Sequence, residues 1–191
     1  MDITPLNSWT AKRISPDGHH GGLSVTDMVS YHIDKLRETI SYVKTHSPFY
    51  RETLSAFSSD DLVSLADIDK IPFTTKDDLE LQGHRFLCVS QSLIERVFTI
   101  NGPGPVTKNS RVYFSSEDIE RTIDFFHHGM TTFTEPGQTV MILMPGDRPD
   151  SVGDLLARSI GRIPARAIVH GLVTDPSHTI SEIERNNVEV I

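Results

Sequence analysis

Residues 101–110, with the sequence Asn-Gly-Pro-Gly-Pro-Val-Thr-Lys-Asn-Ser, contain the residue types that bind phosphate. Gly102 and Gly104 would let backbone amides approach an anion, and Lys108 could neutralise its charge. The Walker pattern requires glycine directly before the lysine and Ser or Thr directly after it, and neither condition is met here. From the residues alone, two interpretations stay open: a turn-rich hairpin connection and an unconventional phosphate loop.

A second candidate is the adjacent pair His127 and His128, late in a predicted helix. Adjacent helical residues point about 100° apart, so this pair lacks the i, i+4 spacing that chelates a metal. The simpler interpretation is one packed and one solvated histidine, and the alternative is a role in a ligand pocket. We predict no metal site.

Two glycine-containing segments, residues 145–149 and His170-Gly171, follow predicted strands. Ligands of open parallel sheets gather at the carboxyl ends of the strands, so both segments lie where a pocket is expected. Glycine also suits a simple turn, and that interpretation stays open. Cys88 lies among apolar residues, which favours a buried structural thiol. The sequence contains no recognisable catalytic triad signature.

An arm and a helical region are expected to precede these candidates. Residues 1–23 contain prolines and glycines without a sustained period, which predicts a flexible arm. Ser24 and Asp27 have capping-box spacing at the start of a helix, whose apolar positions recur every three or four residues up to Ser47. Short helices should complete a helical front region over residues 24–83.

From residue 84 onward, strands alternate with helices. Strands are predicted at 94–100, 111–115, 139–144, 165–170 and 188–191, and helices at 117–134, 150–163 and 177–187. This alternation predicts an α/β fold with a partial, mainly parallel sheet flanked by helices. A parallel strand is normally covered and followed by more structure, so we expect the 84–191 subdomain to be incomplete at its C-terminus.

Composition excludes several classes of protein. The chain has 191 residues, Lys+Arg 18 against Asp+Glu 26, a net charge of −8 and a pI near 5.5, which argues against nucleic-acid binding. It contains no apolar run of membrane-spanning length and no signal-peptide pattern. One cysteine excludes an internal disulfide and a thiolate zinc cluster. We expect a soluble, cytoplasmic protein with no membrane partner.

Several stretches then resemble one family: residues 36–39, 47–51, 71–79, 124–130 and 151–156, of which 71–79 (Ile-Pro-Phe-Thr-Thr-Lys-Asp-Asp-Leu) is the most specific. They resemble the phenylacetate–coenzyme A ligase branch of the adenylate-forming (acyl-CoA synthetase) superfamily. The resemblance covers about residues 24–191, and it corresponds to the N-terminal portion of such an enzyme.

The resemblance implies activation of a small carboxylic acid by ATP and Mg²⁺ to an acyl-adenylate, followed by transfer to coenzyme A. It implies a set of phosphate-binding residues in the 101–110 loop: Gly102, Gly104, Thr107 and Lys108. It also implies an acyl pocket with a floor near the nucleotide: Phe126, His127, Met130, His170 and Gly171. The chain departs from the family loop, Ser-Ser-Gly-Thr-Thr-Gly-x-Pro-Lys, because the hydroxyl pair is absent and two prolines remove amide donors.

The family's adenine-binding motif, magnesium-binding motif and mobile C-terminal lid would lie after Ile191. No catalytic residue is therefore assigned, and the chain alone is not expected to complete the reaction. Two alternatives stay open. The chain could be a non-catalytic remnant that acts as a binding or assembly module, or one subunit of a split ligase. Its partner would be a C-terminal complement or a second copy in a homodimer.

Overall fold

The computed structural model describes residues 4–15, 23–100 and 110–191. The α-helices are α1 Pro5–Ile14, α2 Val25–His46, α3 Pro48–Thr53, α4 Lys76–Gln82, α5 Ser116–Met130, α6 Val152–Ile160 and α7 Pro176–Arg185. Short 3₁₀ helices span Ser59–Asp61, Leu65–Lys70, Gly83–Phe86 and Gln91–Leu93. The strands are β1 Ile94–Ile100, β2 Ser110–Ser115, β3 Thr139–Ile142 and β4 Arg166–Val169.

The chain forms two compact units. Unit 1 consists of Met1–Arg13 together with Glu117–Ile191, and unit 2 is Ile14–Ser116. This division differs from the predicted boundary at residue 83, because the first strand pair belongs with the helices that precede it. Unit 1 is discontinuous in sequence, since its first segment comes from the N-terminus.

Unit 2 begins with helices whose ends are set by local polar contacts. The Ser24 hydroxyl accepts a hydrogen bond from the Asp27 amide at 3.1 Å, and the Asp27 carboxylate accepts one from the Ser24 amide at 3.0 Å. This confirms the predicted capping box. Ser47 caps the end of α2, and its hydroxyl accepts from the Tyr50 amide at 3.3 Å to begin α3, with Pro48 in the first turn.

The core of unit 2 is a buried apolar cluster between α2 and the segment that follows α3: Ile40, Leu54, Phe57 and Leu62. The partly buried side chains around it come mainly from the apolar face of α2: Ile33, Leu36 and Val43. These are positions of the predicted helical stripe, so the sequence period identified the buried face.

Strands β1 and β2, which flank residues 101–109, pair in antiparallel fashion. Their register joins Val97 to Tyr113 and Phe98 to Val112. Phe98 and Phe114 make an edge-on aromatic contact with ring centroids 5.1 Å apart. The strands on either side of the candidate phosphate loop are therefore hairpin partners.

Unit 1 contains a parallel pair, β3 and β4, in which Thr139 lies opposite Arg166 and Ile142 opposite Val169. Val190 makes a parallel bridge to Val140. The strand predicted at 188–191 is therefore reduced to this single bridge. The parallel connections confirm the predicted α/β class. Their core lies under α6 and contains Val140, Ile142 and Ile160.

Further element predictions differ from the structure. The predicted arm contains α1, and the amide of Thr4, just before this helix, donates to the Asn7 side chain at 3.0 Å. The helix was not predicted because its sequence has no apolar period. The helix predicted from residue 150 begins at Val152, because Asp150 has a positive φ of 58°. Helix α5 ends at Met130 rather than 134, where the chain turns.

Within the described residues, no helix combines the length and the apolar character needed to cross a bilayer.

Candidate functional site

The two strand-end segments of unit 1 lie against each other. The backbone N–H groups of His170 and Gly171 both donate to the carbonyl of Ile142, at 3.0 and 3.3 Å. Gly171 has a φ of 86°, a left-handed conformation that glycine adopts without strain. The carboxyl ends of β3 and β4 therefore form one edge, as the parallel sheet predicted. We call this edge the strand-end edge; it comprises residues 143–151 and 170–175.

The loop after β3 is pressed against its surroundings at two glycines. A Cβ atom on Gly146 would lie 2.2 Å from Cγ1 of Val169. A Cβ atom on Gly153 would lie 2.7 Å from the carbonyl oxygen of Pro145, to which the Gly153 amide donates at 2.7 Å. Neither position has room for a side chain, so glycine lets the loop lie directly on the first turn of α6.

A charged network holds the end of the same loop. Asp150 has a positive φ, which is uncommon for a residue with a side chain. Its amide donates to the Asp154 carboxylate at 2.8 Å, and its own carboxylate accepts from Arg158 at 2.6 Å. A strained backbone conformation of this kind persists only where the surrounding contacts hold it in place, and such conformations are frequent at binding sites.

His170 presents an unpaired nitrogen at the strand-end edge. Its Nδ1 lies 3.4 Å from the Gly171 carbonyl oxygen, so the proton in this contact belongs to Nδ1. Its Nε2 is buried and has no hydrogen-bond partner in the part of the chain that the structure describes. The His178 ring lies nearby, with centroids 6.1 Å apart. Such an Nε2 can accept a hydrogen bond from an N–H or O–H group of a ligand.

Helix α5 places its predicted pocket residues against unit 1's interior. Met130 packs on the cluster of Val140, Ile142 and Ile160. His127 donates from Nδ1 to the carbonyl of the buried Ser159 at 3.4 Å, and Phe126 is half-buried. Among the described residues, no hydrogen bond or ring contact joins these three side chains to His170 or Gly171.

His128 occupies a different side of α5. Its Nδ1 donates to the Asp124 carbonyl at 2.8 Å, and its ring stacks on Trp9 of α1 with centroids 5.1 Å apart. Both histidines of the pair are half-buried, so the structure does not divide them into one packed and one solvated side chain. The sequence could not show this, because α1 covers His128 from more than a hundred residues away.

The predicted phosphate-binding residues, Gly102, Gly104, Thr107 and Lys108, lie outside the described residues. Their assignment stays a prediction. In the described ranges, no group of three His, Cys, Asp or Glu side chains is placed to hold a metal ion.

Two carboxylates of unit 2 have lowered pKa values. The Thr75 hydroxyl and backbone hold the pKa of Asp78 below its usual value, and a hydrogen bond from Lys70, with others from Ser64, does the same for Asp67. These groups cap helices. Cys88 is partly buried rather than fully buried as predicted, and this burial raises the pKa of its thiol.

Sequence analysis missed the three residues of the charged network that holds the end of the loop after β3: Asp150, Asp154 and Arg158. The i, i+4 spacing of Asp154 and Arg158 was a visible signal for an ion pair, which forms at 3.6 Å. The positive φ of Asp150 had no signal, because it depends on how the loop meets α6.

No family model matches the sequence, and no curated protein matches it. Solved structures do match. One is 2-hydroxyisobutyryl-CoA ligase in the postadenylation state with 2-HIB-AMP: the TM-score is 0.69 at 19% identity, over 85% of this chain and 35% of that chain. The same ligase with 2-HIB-AMP and CoA in the thioesterification state gives a TM-score of 0.70 over the same shares.

These likenesses show the fold. The chain has the fold of the N-terminal part of an adenylate-forming enzyme, and it spans about a third of the length of the ligase chains that it matches.

Proposed function

We propose that this chain is the N-terminal part of an ATP-dependent, carboxylate-activating ligase of the phenylacetate–coenzyme A ligase type. The observation that carries the proposal is the fold likeness, over 85% of the chain, to a CoA ligase whose structures contain an acyl-adenylate. The stretches at 47–51 and 71–79, which resemble the phenylacetate branch, support the finer assignment.

The proposed reaction has two steps. A carboxylate oxygen of a small acid attacks the α-phosphorus of ATP, the bond to the β-phosphate oxygen breaks, and pyrophosphate leaves. The sulfur of coenzyme A then attacks the acyl carbonyl, and AMP leaves as the thioester forms. Because the chain spans 35% of the matched ligase, both steps are proposed for a complete enzyme, of which this chain forms one part.

In this proposal, the loop between β1 and β2 binds the ATP phosphates. The amides of Gly102 and Gly104, the hydroxyl of Thr107 and the ammonium group of Lys108 stabilise the charge that builds up as pyrophosphate leaves. Two prolines in the loop cannot donate hydrogen bonds, so Lys108 supplies a larger share of the binding than its counterpart in the family loop.

The strand-end edge is proposed to contact the acyl group and the floor near the nucleotide. His170 offers its buried, unpaired Nε2 as an acceptor, and Gly171 turns the chain beside it. Phe126 and His127 are proposed to line the acyl pocket, while Met130 fixes α5 on the core beside them. The Asp150–Arg158 contact holds the loop after β3 in place.

Mg²⁺ would accompany ATP in the complete enzyme. Because the described residues contain no group of three ligands for it, none of them is assigned to the metal.

The test is an amide ¹H–¹⁵N titration of the purified chain with MgATP. We expect saturable shifts in the millimolar range at Gly102, Gly104, Thr107 and Lys108, and their loss in Lys108→Ala. The matched control is Lys12→Ala, which removes an exposed lysine of α1.

Equal shifts in Lys108→Ala, or saturable shifts elsewhere in the chain with none in this loop, would contradict phosphate binding by this loop. That result would favour the alternative of a non-catalytic binding module.

A further inference from the structure

Helix α1 is the part of unit 1 that the N-terminus supplies, while the chain that follows it enters unit 2. None of its ten residues is buried. It carries Trp9, the single tryptophan of the chain, which is half-buried. The attachment of α1 therefore depends on a small number of contacts.

These contacts form one cluster with α5. The Trp9 ring stacks on His128 at 5.1 Å and lies 6.1 Å from Phe125. The Arg13 guanidinium lies 5.0 Å from the Trp9 ring, and its Nη2 is 2.8 Å from Oδ2 of Asp124. We call this set the α1–α5 clasp: Trp9, Arg13, Asp124, Phe125 and His128.

The geometry of the clasp follows from helix periodicity. Trp9 and Arg13 are four residues apart on α1, and Asp124 and His128 are four residues apart on α5. Each pair therefore lies on one face of its helix, and the two faces meet. The His128 Nδ1 donates to the Asp124 carbonyl at 2.8 Å, which fixes the ring that Trp9 covers.

Helix α5 does not need the clasp for its own attachment. Ile119 and Ile123 are buried at 4% and 1% exposure, and Met130 packs on the core of unit 1. His127 bonds to Ser159 of α6. The clasp residues lie on another face, where Phe125 is 52% exposed even with α1 bound.

We propose that α1 is a detachable strap: it docks on α5 through the clasp and releases as a unit while the rest of unit 1 stays folded. Exposed ion pairs and cation–π contacts are individually weak, and a helix without buried side chains opens at lower cost than the core. Release uncovers an aromatic and acidic face of α5 beside the residues proposed for the acyl pocket.

Trp9 provides a direct test, because it is the single tryptophan of the chain and lies in the clasp. In a urea titration, we expect Trp9 emission to shift to longer wavelength before the far-UV circular dichroism changes. Hydrogen exchange should agree, with the α1 amides exchanging faster than those of α5. The proposal would be overturned if the fluorescence and circular dichroism transitions coincide, or if the amides of α1 and α5 are equally protected from hydrogen exchange. Trp9 emission at the wavelength of a fully solvated tryptophan in the native protein would also overturn it.

Single substitutions distinguish loss of the clasp contacts from a general loss of stability. Arg13→Ala and Asp124→Asn should each reduce the ratio of docked to undocked α1 by about two- to fivefold, as expected for contacts of this strength. The double variant should add little to either. Lys12→Ala on α1 and Arg121→Ala on α5, which lie outside the clasp, should leave the ratio unchanged. Equal effects of the controls and the clasp variants would also overturn the proposal.

Discussion

The two units use their polar groups differently. Unit 2 places Ser or Thr with Asp at the start of four helical segments, where the Asp carboxylate accepts a hydrogen bond from the backbone amide of the Ser or Thr. Unit 1 holds a positive φ at Asp150, two glycines without room for a Cβ atom and a buried unpaired nitrogen of His170 at one edge of its sheet.

This difference distinguishes polar groups that stabilise the fold from polar groups that are available to a ligand. Capping contacts satisfy backbone groups that are local in sequence, so they stabilise the helices of unit 2. Strain and an unpaired polar atom cost free energy in the folded state, and they collect where a ligand is expected. Arg96 of unit 2 also has a buried Nε without a hydrogen-bond partner among the described residues. The strand-end edge combines such an atom with strained backbone, and we therefore associate this edge with ligand binding.

The largest expected effect is on the core of unit 2. Leu62 is fully buried, so Leu62→Ala should lower the free energy of unfolding by about 3 kcal/mol through lost burial and a cavity. Urea denaturation measures it. Leu81 is 62% exposed, and Leu81→Ala should change stability by less than about 0.5 kcal/mol. A similar loss in both variants would contradict the core assignment.

A pair of glycine substitutions tests the contrast between the units. Gly153→Ala should destabilise by about 2 kcal/mol, because the new Cβ atom meets backbone at 2.7 Å. Gly83→Ala in unit 2 meets nothing within 4 Å and has helical φ, so it should be neutral or stabilise by up to about 1 kcal/mol. If urea denaturation shows that Gly153→Ala leaves the free energy of unfolding unchanged, the loop after β3 is not constrained by its contact with Gly153.

Arg158→Ala tests the charged network with a smaller effect. The Arg158 side chain is 46% exposed, so its loss should lower stability by less than about 1 kcal/mol. Exchange of the amides of residues 146–151 should nevertheless increase. Arg162→Ala, which removes an ion pair to Glu120, is the matched control and should leave that loop unchanged. Unchanged exchange in Arg158→Ala would show that the loop does not depend on the network.

The smallest expected effect is on how stability changes at acidic pH. The pKa of Asp78 is lowered below 3.8 in the folded state, mainly by the Thr75 hydroxyl. The carboxylate therefore contributes stability above about pH 3.8, and this contribution is lost as the pH falls through the lowered pKa. Asp78→Asn should weaken the acid dependence of urea denaturation, whereas Asp77→Asn, outside the capping box, should keep it. Identical pH profiles would contradict this assignment.

Local signals predicted the helices of unit 2 well. The capping box at Ser24, the proline after Ser47 and the apolar period between them act within a few residues, so the sequence alone specifies α2 and α3. Alternation of strands and helices likewise predicted the parallel pair of unit 1, because few topologies satisfy such a pattern.

Features that depend on distant residues could not be predicted. Helix α1 is held by α5, more than a hundred residues away, and its own sequence has no apolar face. The crowding at Gly146 arises from Val169 of the neighbouring strand. The unpaired Nε2 of His170 is a property of the folded edge, and no sequence pattern encodes it.

The proposal to be tested is that the strand-end edge contacts the acyl group of an acyl-adenylate. The direct measurement compares amide shifts caused by a stable phenylacetyl-adenylate mimic, phenylacetyl sulfamoyladenosine, with those caused by sulfamoyladenosine alone. We predict that the acyl group adds shifts at Gly146, His170 and Gly171, and that these additional shifts disappear in His170→Ala. Identical shifts with the two compounds along residues 143–151 and 170–175 would contradict the account.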